Sequence, residues 1–200
     1  MNQHQPLILA SQSSARQSLL HGAHLQFDVH VSHLDEGATK ATLLDRDASP
    51  AEIAMELARL KALRVSSDYP DALVIGADQT MECDGHLYDK PADIAAARRH
   101  LMALSGKTHT LHSAVAIAQR NKVIWHHTAA AHLCMRALSD DQIGAYMAVA
   151  GETILTSVGC YRLEDAGARL FEHIDGDYFT ILGLPLLAVL AYLRDAGAID

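Results

Sequence analysis

The chain has 200 residues, 50% of them hydrophobic and 20% charged, enough for one sizeable core. Its formal net charge of −8 disfavours a polynucleotide-binding role, because a protein that grips a phosphate backbone is usually basic. No apolar window approaches a membrane span, and Met1-Asn2-Gln3-His4-Gln5-Pro6 lacks the basic start and apolar stretch of a signal peptide, so a soluble cytoplasmic protein with no membrane partner is expected.

In chain order, Leu7–Ala10 reads as a first strand and Ser13–Leu20 as a helix with a serine cap, stopped at Gly22. Phe27–Val31 reads as a second strand, and Asp35-Glu36 as a pair in the loop after it. Glu52–Val65 is the clearest amphipathic helix, with Ile53, Leu57, Leu60 and Arg64 on one face and alanines on its flanks. Leu73–Cys83 is the central strand, turned at Asp84-Gly85. A helix follows over Ala92–Leu104. Thr108–Ala118 and Val123–Arg136 read as long strands joined at Arg120-Asn121. A helix opens at the Ser139-Asp140 cap, and Ala168–Ile174 and Pro185–Ala196 read as helical. Strands and helices alternate without strict βαβ regularity, which favours a mixed-sheet α/β architecture. Residues 1–200 are expected to form a single domain, with a seam between two lobes near 140–155, where Gly144 and Gly151 bracket a weakly patterned region.

Several segments carry residues suited to chemistry. Val74-Ile75-Gly76-Ala77-Asp78-Gln79-Thr80 interrupts an apolar strand with a carboxylate and an amide, and Lys90 returns after the turn, within reach of Asp78 in a hairpin. Read alone, that pairing serves a metal–phosphate site and a plain salt bridge equally well. Ser11-Gln12-Ser13-Ser14-Ala15-Arg16 runs from a strand into a helix, where serine hydroxyls, free N–H groups and an arginine form a phosphate cradle or simply a helix cap. Lys61 sits just off the apolar face of its helix, placed to snorkel to water or to reach into a cleft. Hard oxygen donors such as Glu36 and Asp78 suit Mg²⁺ or Mn²⁺ held jointly with substrate phosphates. Ser105-Gly106-Lys107-Thr108 lacks the glycine spacing of a phosphate loop and follows a helix, so it is rejected as one. Thirteen histidines are scattered without zinc-site spacing, and Cys83, Cys134 and Cys160 form no Cys-x-x-Cys pair.

Taken in order, the blocks Leu7-Ile8-Leu9-Ala10-Ser11-x-Ser13-x-x-Arg16, Asp35-Glu36, Leu57-Ala58-x-x-Lys61-Ala62, Gly76-Ala77-Asp78-Gln79, Lys90-Pro91, Leu104-Ser105-Gly106-Lys107-x-His109 and Gly176-Asp177-Tyr178-x-x-Ile181-x-Gly183-Leu184-Pro185 resemble the Maf family. Its members are nucleoside triphosphate pyrophosphatases, and the resemblance runs from about Leu7 to Leu193. It implies a fold like that of the inosine triphosphate pyrophosphatases, two lobes about a central cleft, often as a homodimer. It places Asp78 at the family's catalytic proton acceptor, and Ser11, Arg16, Glu36, Lys61, Gln79 and Lys90 at polar positions lining the nucleotide cleft. Two departures bear on the base. Where many members have Pro-Arg-Arg, this chain has Ser14-Ala15-Arg16, lacking the middle arginine of the pyrimidine-directed branch. Where that branch has Ile-Gln-Gly, this chain has Leu163-Glu164-Asp165, closer to the branch acting on 7-methyl-GTP, which also has a Leu-Phe-Glu like Leu170-Phe171-Glu172.

The expectation is therefore metal-assisted hydrolysis of a nucleoside triphosphate to monophosphate and pyrophosphate. Glu36 and Asp78 hold Mg²⁺ or Mn²⁺, Asp78 deprotonates or orients water, and Lys61, Lys90 and Arg16 balance phosphate charge. Glu164 is expected to read guanine, whose adjacent N–H donors match a carboxylate that only accepts. The rivals are a nucleotide-sensing regulator of cell division without significant turnover, and a pyrophosphatase of dinucleotides or other diphosphate esters.

Overall fold

A computed structural model of the chain describes residues 3–200. Its seven strands are β1 (Leu7–Leu9), β2 (Asp28–Val29), β3 (Leu73–Cys83), β4 (His86–Tyr88), β5 (Thr108–Gln119), β6 (Lys122–Met135) and β7 (Phe171–Asp175). They form one mixed sheet ordered β2-β1-β3-β5-β6-β7, with β4 paired to β3. Seven α-helices accompany them: α1 (Ser14–Gly22), α2 (Glu36–Leu44), α3 (Pro50–Ser66), α4 (Ile94–Leu104), α5 (Asp140–Ala150), α6 (Tyr178–Ile181) and α7 (Leu186–Asp195). The mixed α/β class expected from the alternation of elements is the one observed. Among the described residues no helix is long and apolar enough to cross a membrane.

The chain divides into two compact units. One comprises residues 1–79, 112–129 and 178–200, the other residues 80–111 and 130–177. The segment 140–155, where the sequence suggests a seam, lies wholly inside the second unit.

In the first unit β1 runs parallel to both β2 and β3, with Leu7, Ile8 and Leu9 opposite Leu73, Val74 and Ile75. The paired stretches Leu7–Leu9 and Leu73–Ile75 are apolar at every position because both faces are covered. Leu73, Ile75 and Ala77 pack with Leu19 and Leu20 of α1 and Val189 and Leu193 of α7. On the opposite face Val74 and Ile8 pack with Val65 of α3. The period of two then puts Gly76 and Asp78 on the α3 side as well. A Cβ on Gly76 would lie 2.2 Å from the Ala58 carbonyl oxygen and 2.6 Å from the Ala62 nitrogen, so only glycine allows the helix backbone this close.

α3 starts on a capping box between Ser49 and Glu52 with Pro50 in its first turn, a strong local start signal. Its buried face is Ile53, Ala54, Leu57, Ala58, Lys61, Ala62 and Val65. This corrects the expected face: Leu60 is only partly buried and Arg64 is exposed. Ala54, Ala58 and Ala62 pack against Ala114, Ala116 and Ala118 of β5, and that small-residue seam, rather than the larger side chains, sets the helix rotation.

The second unit is built on antiparallel pairing. β3 turns into β4 through Asp84 and Gly85, both at positive φ, and pairs Met81 with Tyr88 and Cys83 with His86. Two left-handed residues in a two-residue loop match the twist of the flanking strands. β7 pairs with β6 from Met135↔Phe171 to His132↔Asp175, with an irregularity at Cys134/Met135. Two expectations fail. The stretch 168–174 is not one α-helix; a short 3-10 helix spans Ala166–Leu170 and the chain then enters β7. No alternation in Phe171-Glu172-His173-Ile174-Asp175 announces a strand, and hydrogen bonding to β6 decides the outcome over local propensity. The Asp35-Glu36 pair, expected in a loop, instead begins α2, with Asp35 as the cap accepting from the Ala38 N–H at 2.9 Å.

The core of this unit is partly aromatic. The His109 ring Nε2 lies 2.7 Å from the Tyr161 hydroxyl, and both rings pack on Phe171. The Tyr146 hydroxyl donates to the Cys160 carbonyl at 3.0 Å.

Candidate active site

A strand that is buried on both faces has no inexpensive place for a charge. Asp78 nevertheless sits in the middle of β3, its side chain only 12% exposed, and α3 supplies the answer. The close approach at Gly76 brings Lys61, one turn before Val65, to Asp78: Nζ is 2.6 Å from Asp78 Oδ1. The same ammonium lies 2.9 Å from Glu36 Oε1 at the first residue of α2. One buried cation thus spans two carboxylates, the deeper on β3 and the more exposed on α2.

A second cation, Arg16, is buried at the start of α1 and is held rigidly. Its Nε donates to the Gly183 carbonyl at 2.8 Å and one terminal nitrogen donates to Ser11 Oγ at 3.0 Å. Gly183 adopts φ +90°, and a Cβ there would press on the guanidinium at 3.3 Å, so glycine serves both backbone and space. Ser13 caps α1 by accepting from the Arg16 N–H, as its place before the helix suggests.

Gln79 points to the other side of β3. Its Nε2 donates to Ser113 Oγ at 2.8 Å and to the carbonyls of Thr180 and Ile181, each at 3.1 Å. Ser113, fully buried on β5, donates in turn to the Thr180 carbonyl at 2.7 Å. The end of α6, two residues before Gly183, is therefore tied to both strands. With Nε2 committed to protein acceptors, what Gln79 offers a ligand is its carbonyl oxygen.

Burial pushes the Asp78 carboxyl above the usual carboxylate range; Lys61 and Arg16 pull it back and Glu36 adds to the rise. Burial likewise lowers the Arg16 guanidinium, countered by Asp78 and Glu36, though an arginine stays protonated in any such setting. The result is a basic carboxylate between two cations, suited to taking a proton from water next to bound anions.

The fold thus brings together Ser11, Arg16, Glu36, Lys61 and Asp78, with Gln79 on the other face of β3, all in the first unit. Lys90 and Glu164 belong to the second. The hairpin expected to carry a lysine to Asp78 forms, but the cation on Asp78 is Lys61, and Lys90 is exposed beyond β4. Glu164 accepts from Arg162 Nε at 2.9 Å through Oε1, a surface pair that leaves Oε2 without that contact. Sequence reasoning missed Ser113 and the role of Gly76 as a contact point. The only signal for Ser113 was a hydroxyl in the inward register of Leu111, Ser113 and Val115.

The donor set fits a hard divalent cation. Two carboxylate oxygens already converge on one positive group, and oxygen is what Mg²⁺ and Mn²⁺ select. Among the described residues no group of three or more His, Cys, Asp or Glu side chains is placed to hold a metal ion. Asp78 and Glu36 would hold the ion from one side, and the remaining positions would fall to water and phosphate.

Residues 6–196 match the family model described as Maf-like protein. The chain is 52% identical over 194 residues to the 7-methyl-GTP pyrophosphatase of Rhizobium johnstonii, covering 97% of this chain and 98% of that protein. It is 49% identical over 190 residues to the nucleoside triphosphate pyrophosphatase of Paramagnetospirillum magneticum, covering 95% and 98%. Among solved structures, a HAM1 protein from Coxiella burnetii is matched at a TM-score of 0.39 and 16% identity, over 66% of this chain and 73% of that one.

Proposed function

The chain belongs to the Maf-like proteins, and from that membership and the geometry around Asp78 we propose that it hydrolyses nucleoside triphosphates to the monophosphate and pyrophosphate. The observation that carries this reading is the Asp78–Lys61–Glu36 arrangement beside Arg16. It concentrates cations and a basic carboxylate in an otherwise acidic protein, which is what an anionic triphosphate and an attacking water require.

In this mechanism Asp78 accepts the proton of the water that attacks the α-phosphorus. Its carboxyl is held above the ordinary range by burial, so proton transfer is favoured. Lys61 and Arg16 neutralise phosphoryl oxygens as charge moves toward the leaving pyrophosphate. Arg16 is pre-oriented by Gly183 and Ser11, so little ordering remains to be done on binding. Ser11 Oγ accepts from Arg16 and retains a proton to donate to phosphate. A divalent ion on Asp78 and Glu36 supplies Lewis-acid polarisation of the phosphoryl group when bound. Gln79, Lys90 and Glu164 complete the proposed substrate-binding set. The reaction is proposed to take place in the cytoplasm.

The base proposed is of the guanine type, 7-methylated or not. Two things support it: the name of the Rhizobium johnstonii relative and Glu164, whose carboxylate is oriented by Arg162. Such a group suits paired N–H donors and repels the carbonyls of uracil and thymine. The relatives' pyrophosphatase names favour turnover over a purely sensing role. The test is a product assay with a panel of nucleotides. Monophosphate and pyrophosphate appearing together from the start, with a higher kcat/KM for GTP or 7-methyl-GTP than for UTP, are expected. Early orthophosphate with nucleoside diphosphate would overturn the reading, and activity surviving exhaustive chelation would remove the metal from it.

A further inference from the structure

Lys61 and Arg16 are both cations beside Asp78, yet they are held in different ways. Arg16 is fastened to neutral partners, the Gly183 carbonyl and the Ser11 hydroxyl. Its planar fork is committed, and its charge stays in place whatever binds. Among the described residues the Lys61 ammonium is partnered by charged groups, Asp78 Oδ1 at 2.6 Å and Glu36 Oε1 at 2.9 Å. Those oxygens are the two that would ligate a divalent ion, so the ammonium occupies the place where such an ion would sit. A four-carbon stem with three rotatable donors can leave that place without disturbing the helix that carries it.

The charges also balance. Asp78, Glu36, Lys61 and Arg16 sum to zero. A divalent ion entering alone would lie against the Lys61 ammonium, with two side-chain oxygens to hold it and, among the described residues, no third His, Cys, Asp or Glu in the group. A triphosphate entering alone would meet two carboxylates and a lysine already engaged by them. Each ligand is opposed alone, and together they relieve one another, because the ion takes the carboxylates and the lysine takes phosphate oxygens. Ions of this kind are held by one or two carboxylates plus substrate phosphates, with little dedicated protein caging.

We propose that Lys61 is an exchanging counter-ion: in the free protein it stands in for the metal between Asp78 and Glu36, and it transfers to the triphosphate only as metal and nucleotide enter together. The inference rests on the metal-assisted reading above and adds an order to it. The free protein binds divalent ions weakly, and metal and nucleotide raise each other's affinity by the same factor, as linkage requires.

The experiment uses the full chain, Mn²⁺ as the metal probe, and a GTP analogue with a methylene between the α and β phosphorus atoms. Mn²⁺ binding without nucleotide is followed by the free-ion paramagnetic signal. Analogue binding is followed by calorimetry in EDTA and in saturating Mn²⁺. For the wild type, the analogue is expected to bind at least about tenfold tighter with Mn²⁺ than in EDTA. In Lys61→Met, Mn²⁺ alone should bind about tenfold tighter than to the wild type, and the analogue should lose much of its metal-dependent gain. Adding Glu36→Gln to Lys61→Met should abolish the gained Mn²⁺ affinity, locating it at this pair. Lys61→Gln provides the same readout should the methionine variant not fold, and Lys61→Arg, which keeps the charge, should still exclude Mn²⁺. Wild-type binding of Mn²⁺ alone as tight as with the analogue would overturn the exchange. So would an unchanged Mn²⁺ affinity in a folded Lys61→Met or Lys61→Gln. Analogue binding indifferent to Mn²⁺ in every variant would instead remove the metal-assisted reading on which the exchange depends.

Discussion

The two units bury polar groups in opposite states. In the first, the buried set includes Arg16, Lys61 and Asp78, three charges within one arrangement. In the second, the groups in the interior are neutral. Burial lowers His109 to about 4, pushes the Cys160 thiol up to about 12, and raises the Tyr146 and Tyr161 hydroxyls. Neutral polar groups satisfied by one hydrogen bond each are an ordinary way to fill a core. Buried charges are not, since an apolar substitute of similar volume is often as stable or more so. Their retention in the first unit points to chemistry, whereas the second unit's cluster needs only packing to explain it.

The largest expected effect tests whether the charges of the first unit exist for catalysis. Asp78→Asn keeps the shape and removes the proposed proton acceptor. Pyrophosphate release should fall by about a thousandfold or more, with circular dichroism unchanged. Near-normal turnover would reduce the cluster to a salt bridge. Next is Gly76→Ala, which adds only a methyl group but directs it at the α3 backbone, 2.2 Å from the Ala58 carbonyl oxygen. The helix must retreat and carry Lys61 away from Asp78, so stability should drop by roughly 2–3 kcal/mol in urea titrations, and activity should fall with it.

The second unit is sharpened by pH. His109 is neutral in the fold, with its Nδ1 buried and without a hydrogen-bond partner. The unfolded chain takes up a proton near 6.5 and the folded chain only near 4, so the stability this histidine contributes is complete above 6.5 and is lost as pH falls toward 4. The loss amounts to about 3 kcal/mol across that window. His109→Phe should flatten the dependence when unfolding is measured between these limits, and an unchanged slope would assign it to other groups. The smallest effect concerns the tie between β5 and α6. Ser113→Ala removes one donor to the Thr180 carbonyl and one acceptor from Gln79. It should cost about 1 kcal/mol and lower kcat modestly through a less rigid Gly183–Arg16 contact. An unchanged melting temperature and kcat would show that Gln79 alone suffices.

Local signals in the sequence determined the elements with strong chemistry of their own. β3 matches its expected span, Leu73–Cys83, and the Asp84-Gly85 and Arg120-Asn121 turns sit where left-handed residues close two-residue hairpins. α3 follows its Ser49 cap, and α5 its Ser139 cap. Asp78 was legible because a carboxylate in an apolar strand contradicts its surroundings, and the ordered blocks tied it to a family. What the tertiary structure alone decided was partnership. A strand without alternation at Phe171–Asp175 exists because β6 offers an edge. Lys61 rather than Lys90 meets Asp78, because a glycine at 76 and an alanine seam bring α3 onto the sheet. A sequence records which residues can be charged, small or apolar, but which of two lysines reaches a carboxylate depends on the distance between backbones, and that is set only when the layers pack.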